Sequence, residues 1–391
     1  MFSRKLIATV FMALSVLLLA GCGASQPQSV AQSSQQTEAQ PEVTVPTTES
    51  AEEHEEEEHN EEAEEHDEDH ELSLDEMELT PVTLAEGEKL QVVATSNIIG
   101  DMVKNVAGDL VELTVLMPPG SDPHAFQPAP QDAAAVADAD VVFANGLNFE
   151  EFLDELIDNA GGEAVVVRVA NGIESRAFGE SEEEHGEDEH YEEGEEHDEH
   201  GEEGDEHSEE GHHHHDGADP HAWMTPYNAL VYVYNIETAL STLNPAQAET
   251  YHANAETYKA QLEELDEWVF EQIETIPPEN REMVTDHDAF GYYADRYGLE
   301  IVGAIIPSYS TAAEPSAQEM AELQEAIAEF EAPAIFVGTS VNPDLAERVA
   351  ADTGTRLVPL YTGSLGAAGS GAETYSDYIR YNTTSIVEAL K

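Results

Sequence analysis

From Lys89 to the C-terminus, short apolar runs alternate with longer amphipathic stretches. The runs LQVVAT (90–95), VELTVLM (111–117), DVVFAN (140–145) and AVVVRV (164–169) predict buried strands, with helical patterns at 97–107 and 131–138 between them. A second set follows in EMVTDH (282–287), LEIVGAII (299–306), PAIFVG (333–338) and RLVPLY (356–361), separated by helical stretches near 288–297, 315–331, 342–353 and 373–390. Alternation of this kind builds parallel βα units, so the chain is expected to fold as two similar α/β lobes.

The segment between the two sets is the most regular. Ala248, Tyr251, Ala255, Tyr258, Leu262, Leu265, Val269, Ile273 and Ile276 follow one another at steps of three or four and draw one apolar stripe. Asn244 and Pro245 supply a cap and a first-turn proline, and Pro277-Pro278 ends the pattern. A helix over 245–276 would be about 48 Å long and would act as a stiff connector between a lobe at 89–244 and a second at 277–391. His252 lies one residue off the stripe and reads as a surface histidine.

The first residues follow a different logic. Arg4 and Lys5 precede an apolar run from Leu6 to Ala20 that is too short for a transmembrane helix and ends in small residues, as a secretory signal does. Leu19-Ala20-Gly21-Cys22 resembles a bacterial lipobox, in which residues 1–21 are removed and the cysteine becomes the lipid anchor. With Cys22 acylated no thiol remains for metal or redox chemistry, and a single cysteine excludes an internal disulfide. Residues 22–88 read as a disordered tether. Residues 23–80 of it, about 58 flexible residues, have an r.m.s. span of roughly 40 Å, which holds the folded part away from the membrane.

Charge sharpens this picture. The chain has 84 acidic and 13 basic residues, a formal charge of -71, which excludes nucleic acid as a partner because phosphate contacts need clustered Lys and Arg. The acids are not evenly spread. Residues 51–71 carry fourteen acids and four histidines, and residues 180–216 carry twenty acids and nine histidines, with no Lys or Arg in either. The rest of the chain still carries about -37 and should attract cations.

Outside those tracts only His124, His221, His252 and His287 remain. Three of them occupy loop-like positions near the ends of predicted strands, where α/β folds place ligand sites. His124 and His221 share an Asp-Pro-His frame, and His287 lies where a strand passes into a helix. Neutral imidazoles suit zinc, and three around one ion leave a fourth position open.

PGSDPHAFQPAPQD, ADADVVFANGLNFEEFL, DPHAWMTP, HDAFGYYADRYGL, STAAEPSAQEM and TYSDYIRYN together resemble the metal-specific substrate-binding lipoproteins of ABC importers, the ZnuA-like proteins and their manganese-binding relatives, over roughly residues 89–391. The resemblance implies two Rossmann-like lobes joined by one long backbone helix, with a metal in the interlobe cleft held by His124, His221 and His287. It also implies a monomer outside the cell membrane, working with an ABC permease and its cytoplasmic ATPase. Manganese-preferring members often carry Glu at the place of His287, so Zn2+ is the expected cargo and Mn2+ fits less well. The pattern breaks at the fourth ligand, because YTGSLG has Gly363 where many members have Asp. A water, Asp122, or a Glu or His of the tract 180–216 are the candidates there, and Asp288 reads as an acceptor that orients a ligand imidazole.

The tract 180–216 stands where zinc-binding members carry a His-rich loop. His207 and the run His212, His213, His214 and His215 are expected to collect zinc weakly, the run ending within roughly 20 Å of His221 along the chain. The tract 51–71 has the same composition, and capture or plain solvation both fit it. His66 and His70 have zincin-like spacing but lie in a charge run with no apolar face, so they do not suggest a protease. The expected function is high-affinity zinc capture for import. The alternatives are a manganese- or iron-binding member of the same family, a zinc-dependent hydrolase, since three histidines with an open position is also a catalytic pattern, and a zinc-buffering surface protein.

Overall fold

A computed structural model describes residues 79–150, 152–162, 164–176 and 218–391. The signal segment, Cys22, the tract 51–71, most of the tether, and the tract 180–216 with His207 and His212 to His215 lie outside the described residues.

All eight expected strands form. The first four are β1 (Leu90–Ala94), β2 (Val111–Val115), β3 (Val141–Ala144) and β4 (Val165–Arg168), in one parallel sheet of order β2-β1-β3-β4. The second four are β5 (Glu282–His287), β6 (Glu300–Ile306), β7 (Ala334–Gly338) and β8 (Arg356–Leu360), in a parallel sheet of order β6-β5-β7-β8. The two sheets therefore repeat one topology, and in each the chain crosses from one side of the first strand to the other. That crossing opens a crevice at the strands' C-terminal ends.

Helices α1 (Asn97–Ala107), α2 (Pro130–Ala137), α3 (Leu153–Ala160) and α4 (Pro226–Leu243) accompany the first sheet. Helix α5 (Ala248–Ile273) follows, then α6 (Gly291–Tyr297), α7 (Ala317–Glu329), α8 (Asp344–Thr353) and α9 (Tyr375–Leu390). The connector is shorter than the stripe suggested. Pro245–Gln247 form a 3-10 turn, Asn244 makes no side-chain cap bond, and α5 is about 39 Å long over its 26 residues. Its stripe is buried as expected, with Tyr251, Ala255, Leu262 and Val269 fully inaccessible. Leu262 and Val269 each contribute roughly 2 kcal/mol by leaving water, and Ala255 less. One hydrophobic cluster runs from Leu90 through α4 and α5 to Leu390, so the lobes share a core at their backs while their strand ends face a common crevice.

Candidate metal centre

His124 and His221 enter the crevice from the first lobe and His287 from the second. His124 sits in a short 3-10 turn after β2, whose N-cap is Asp122: Asp122 Oδ1 accepts the His124 backbone N–H at 3.1 Å. The same frame recurs at the second site, where Asp219 Oδ1 accepts the His221 N–H at 2.9 Å. The shared Asp-Pro-His sequence is thus a shared turn in which the aspartate fixes the backbone that carries the imidazole. His287 is the last residue of β5, a central strand.

The three imidazoles face one another with ring centroids 5.4 to 5.8 Å apart, and each offers a nitrogen within 4.8 Å of the others. The Nε2 atoms of His124 and His221 are 3.4 Å apart. His221 and His287 are buried and His124 is half-buried. Phe149 lies edge-on to His124 and Trp223 edge-on to His221, so the nitrogens sit against apolar walls.

Two carboxylates orient the rings. Asp219 Oδ1 accepts from His221 Nδ1 at 2.9 Å, and Asp286 Oδ1 accepts from His287 Nδ1 at 3.0 Å, which leaves Nε2 of each ring free for a cation. The acceptor on His287 is therefore Asp286, not Asp288 as the sequence suggested. Asp286 is itself held by the Gly338 N–H of β7 at 2.8 Å. Asp288 instead donates its backbone N–H to Ser308 O. Neither Asp288 nor Asp122 has an oxygen within the three-histidine group, and Asp122 Oδ2 accepts from Thr311 Oγ1 at 2.7 Å.

Gly363 explains why no side chain enters from the loop after β8. A Cβ built there would lie 2.4 Å from Pro123 Cγ, a rigid ring next to His124. Any residue but glycine would push the ligand loop away. Among the described residues, no fourth side chain joins the three imidazoles.

Several residues that the sequence did not single out hold the site. Glu150 is buried beyond the C-terminal ends of the central strands β1 and β3, accepting from Thr95 Oγ1 at 2.7 Å and from the Asn145 N–H at 2.6 Å. Asn145 Nδ2 then donates to Pro220 O, fixing the residue before His221. Arg176 spans the crevice, pairing with Asp219 at 3.4 Å and with Asp295 of α6 at 2.5 Å. His252 is exposed, as expected, and bonds Glu237 at 2.8 Å, while Lys259 neutralises Glu237 and Glu256 beside it.

Electrostatics divides the imidazoles. Burial, with the neighbouring His221 and His287, pushes His124 down to about 2. Burial and His287 hold His221 well below its ordinary value. Burial alone would lower His287, but Asp286 outweighs it and raises this ring. Burial lifts Asp219 to about 6 despite Arg176, and burial with the Asp219 charge lifts Asp288 to about 6. In the metal-free cluster His124 and His221 are thus held neutral with Nε2 lone pairs bare, while His287 holds its second proton more readily than an ordinary imidazole.

The orienting carboxylates give a first prediction. Asp219→Asn and Asp286→Asn are each expected to weaken metal binding roughly 10- to 100-fold, the usual cost of losing a partner that fixes a ligand imidazole. Chelator competition measures it, and binding within twofold of the original would show that the carboxylates do not act through the rings.

Two parallel-sheet lobes with a buried cluster of metal-seeking side chains between them define a metal-binding substrate-binding protein of an ABC transporter. The chain belongs to the family described as zinc-uptake complex component A, periplasmic, whose model matches residues 92–389. It is 34% identical over 309 residues to the manganese-binding lipoprotein MntA of Halalkalibacterium halodurans, covering 79% of this chain and 91% of that one. The periplasmic zinc binding protein TroA from Treponema pallidum has a similar structure, with TM-score 0.65, 29% identity, and coverage of 78% of this chain and 99% of that one. A single-site mutant of a manganese-bound periplasmic metal binding protein from Candidatus Liberibacter asiaticus matches at TM-score 0.64 and 28% identity, over 78% of this chain and all of the other. The expected two-lobe α/β fold and family are both borne out. The family is one of metal-transport solute-binding proteins rather than enzymes, and its lipoprotein and periplasmic members place the chain outside the cytoplasm.

Proposed function

We propose that the chain captures Zn2+ outside the cell membrane, to which a lipid on Cys22 anchors it, and delivers the ion to the permease of an ATP-driven importer. His124, His221 and His287 hold the ion and water completes the fourth position. The observation that carries this reading is the donor set: three imidazole nitrogens within 4.8 Å and no carboxylate among them. Imidazole suits zinc, whereas manganese favours carboxylate and water oxygens and stands lowest in the affinity order of divalent metals. A manganese cargo is the second reading, supported by the name of the relative MntA.

The tract 180–216 is read as a zinc collector beside this site. Asp219, two residues after 177–217, donates its backbone N–H to Arg176 O at 2.9 Å and accepts from the His221 ring.

Radioactive zinc and manganese uptake in cells with and without the gene separates the readings. Zinc uptake at scarce zinc should collapse on deletion while manganese uptake is unchanged, and the reverse result would overturn zinc in favour of manganese. Removing residues 180–216 should lower both total zinc stoichiometry and uptake at scarce zinc; if both were unchanged, the collecting role would be wrong.

A further inference from the structure

The loop after β8 makes no metal-seeking contact, yet it is one of the most tightly bonded segments in the crevice. Ser364, 3% exposed, lies in the second lobe and its hydroxyl meets the first lobe twice. Ser364 Oγ accepts from Asn97 Nδ2 at 2.9 Å and from the Gly120 N–H at 2.7 Å, and donates to Leu365 O at 3.1 Å. Asn97 Oδ1 in turn accepts the Leu365 N–H at 2.7 Å, and its Nδ2 also reaches Met117 O at 3.2 Å. Two residues away, Thr362 O accepts from Trp223 Nε1 at 3.2 Å.

These bonds grip the loops that carry the imidazoles. Gly120 lies four residues before His124, Met117 lies two residues past β2 on the way to it, and Trp223 lies two residues after His221. Between them Gly363 lets the Pro123 ring close onto the loop. Buried amide–hydroxyl bonds of this kind have no competing water and are costly to leave half-made.

We propose that Asn97 and Ser364 form an interlobe latch that positions His124 against His221 and His287 and slows escape of the bound ion. The proposal rests on the metal-binding reading of the three histidines. Both residues are positioning residues, since neither reaches the histidine nitrogens. Among the described residues no side chain fills the fourth corner of the cage, and the two lobes are held together there by protein–protein bonds that release must break.

The test is the zinc dissociation rate of the full chain, followed with an excess of a chromogenic chelator, for the original protein, Ser364→Ala, Asn97→Ala and the double variant. Losing two buried bonds at Ser364 should speed release about 30-fold. The double variant should be faster than either single variant but by less than the product of their two effects, because the Asn97–Ser364 bond is lost in both. The thermal midpoint of each metal-free variant is recorded alongside, and the latch predicts a larger drop with zinc bound than without. Release rates within twofold of the original would overturn the latch. Equal losses of midpoint with and without zinc, at unchanged release, would overturn it too by making the bonds merely structural. If the original protein itself held no slowly released zinc, the metal-binding reading would fail and the latch with it.

Discussion

Replacing His221 by alanine is expected to lower zinc affinity by about a thousandfold, the largest effect of any single substitution outside the core. Apparent binding free energies at structural zinc sites are about 10–16 kcal/mol. Removing one of three protein ligands should therefore cost roughly 4 kcal/mol, which is about three powers of ten. The substitution does more than delete a nitrogen. It takes away the ring that Asp219 orients, leaving a buried carboxylate with Arg176 as its remaining charge partner. It also removes the edge-on neighbour of Trp223, so some loss of stability should accompany the loss of binding. Chelator competition at pH 7.5, with far-ultraviolet circular dichroism to confirm folding, measures the effect. A folded variant that lost less than tenfold in affinity would show that His221 is not a ligand.

Acidification should release the ion with a slope that changes with pH. Burial holds His124 and His221 below the ordinary imidazole value, so neither supplies a proton to be displaced near neutral pH. His287 is the exception, because Asp286 raises it above its ordinary value, and a cation must expel its proton. Affinity should therefore fall about tenfold per pH unit, one proton per metal, from the His287 value down to about pH 6. Below that, Asp219 and Asp288, both raised to about 6, begin to take up protons and the slope should steepen.

Metal-free stability depends on groups that oppose one another. A raised histidine contributes stability that is present below about pH 6.5, its unfolded value, and lost as pH rises through its folded value. The two raised carboxylates likewise bind protons more readily in the folded state, so they too favour the acid side between about 4 and 6. His124 and His221 work the other way: they stay neutral when folded but take up protons on unfolding below about pH 6.5, so they erode stability as pH falls. The metal-free protein should therefore change little in stability, whereas the metal complex weakens, and the gap between their thermal midpoints should narrow from pH 7.5 to 5.5. Competition titrations and thermal scans across that range check both statements. An affinity unchanged from pH 7.5 to 5 would count against His287 as a ligand and so against the three-histidine site.

The fold was largely legible because its strands are continuous apolar runs and most helices have one apolar stripe. Helix α4 escaped notice for a physical reason. Its sequence PYNALVYVYNIETALSTL is rich in β-branched and aromatic residues, and exposed Tyr227 and Tyr234 on its outer side blur the buried stripe of Ala229, Tyr232, Val233 and Ile236. The start of α5 shifted because Pro245 opened a 3-10 turn instead of the α-helix itself.

At the site, the three histidines could be found by elimination, since thirteen of seventeen lie in the acidic tracts. Their partners could not. His287 stands between two aspartates, and which one reaches its ring is decided by Gly338 on the neighbouring strand, 52 residues away. Glu150, Arg176 and the Asn97–Ser364 pair are likewise fixed by contacts between elements far apart in the chain, which no local pattern encodes. Gly363 was visible as a departure. Only the Pro123 ring beside it shows why a side chain has no room there.

The most direct test of a histidine cage is the metal content of the purified mature protein, measured beside a variant with His124, His221 and His287 all replaced by alanine and a second lacking residues 180–216. One tightly held zinc should be present in the original and in the tract deletion, and absent from the triple variant. A tight zinc retained by the triple variant would place the site elsewhere and contradict the account.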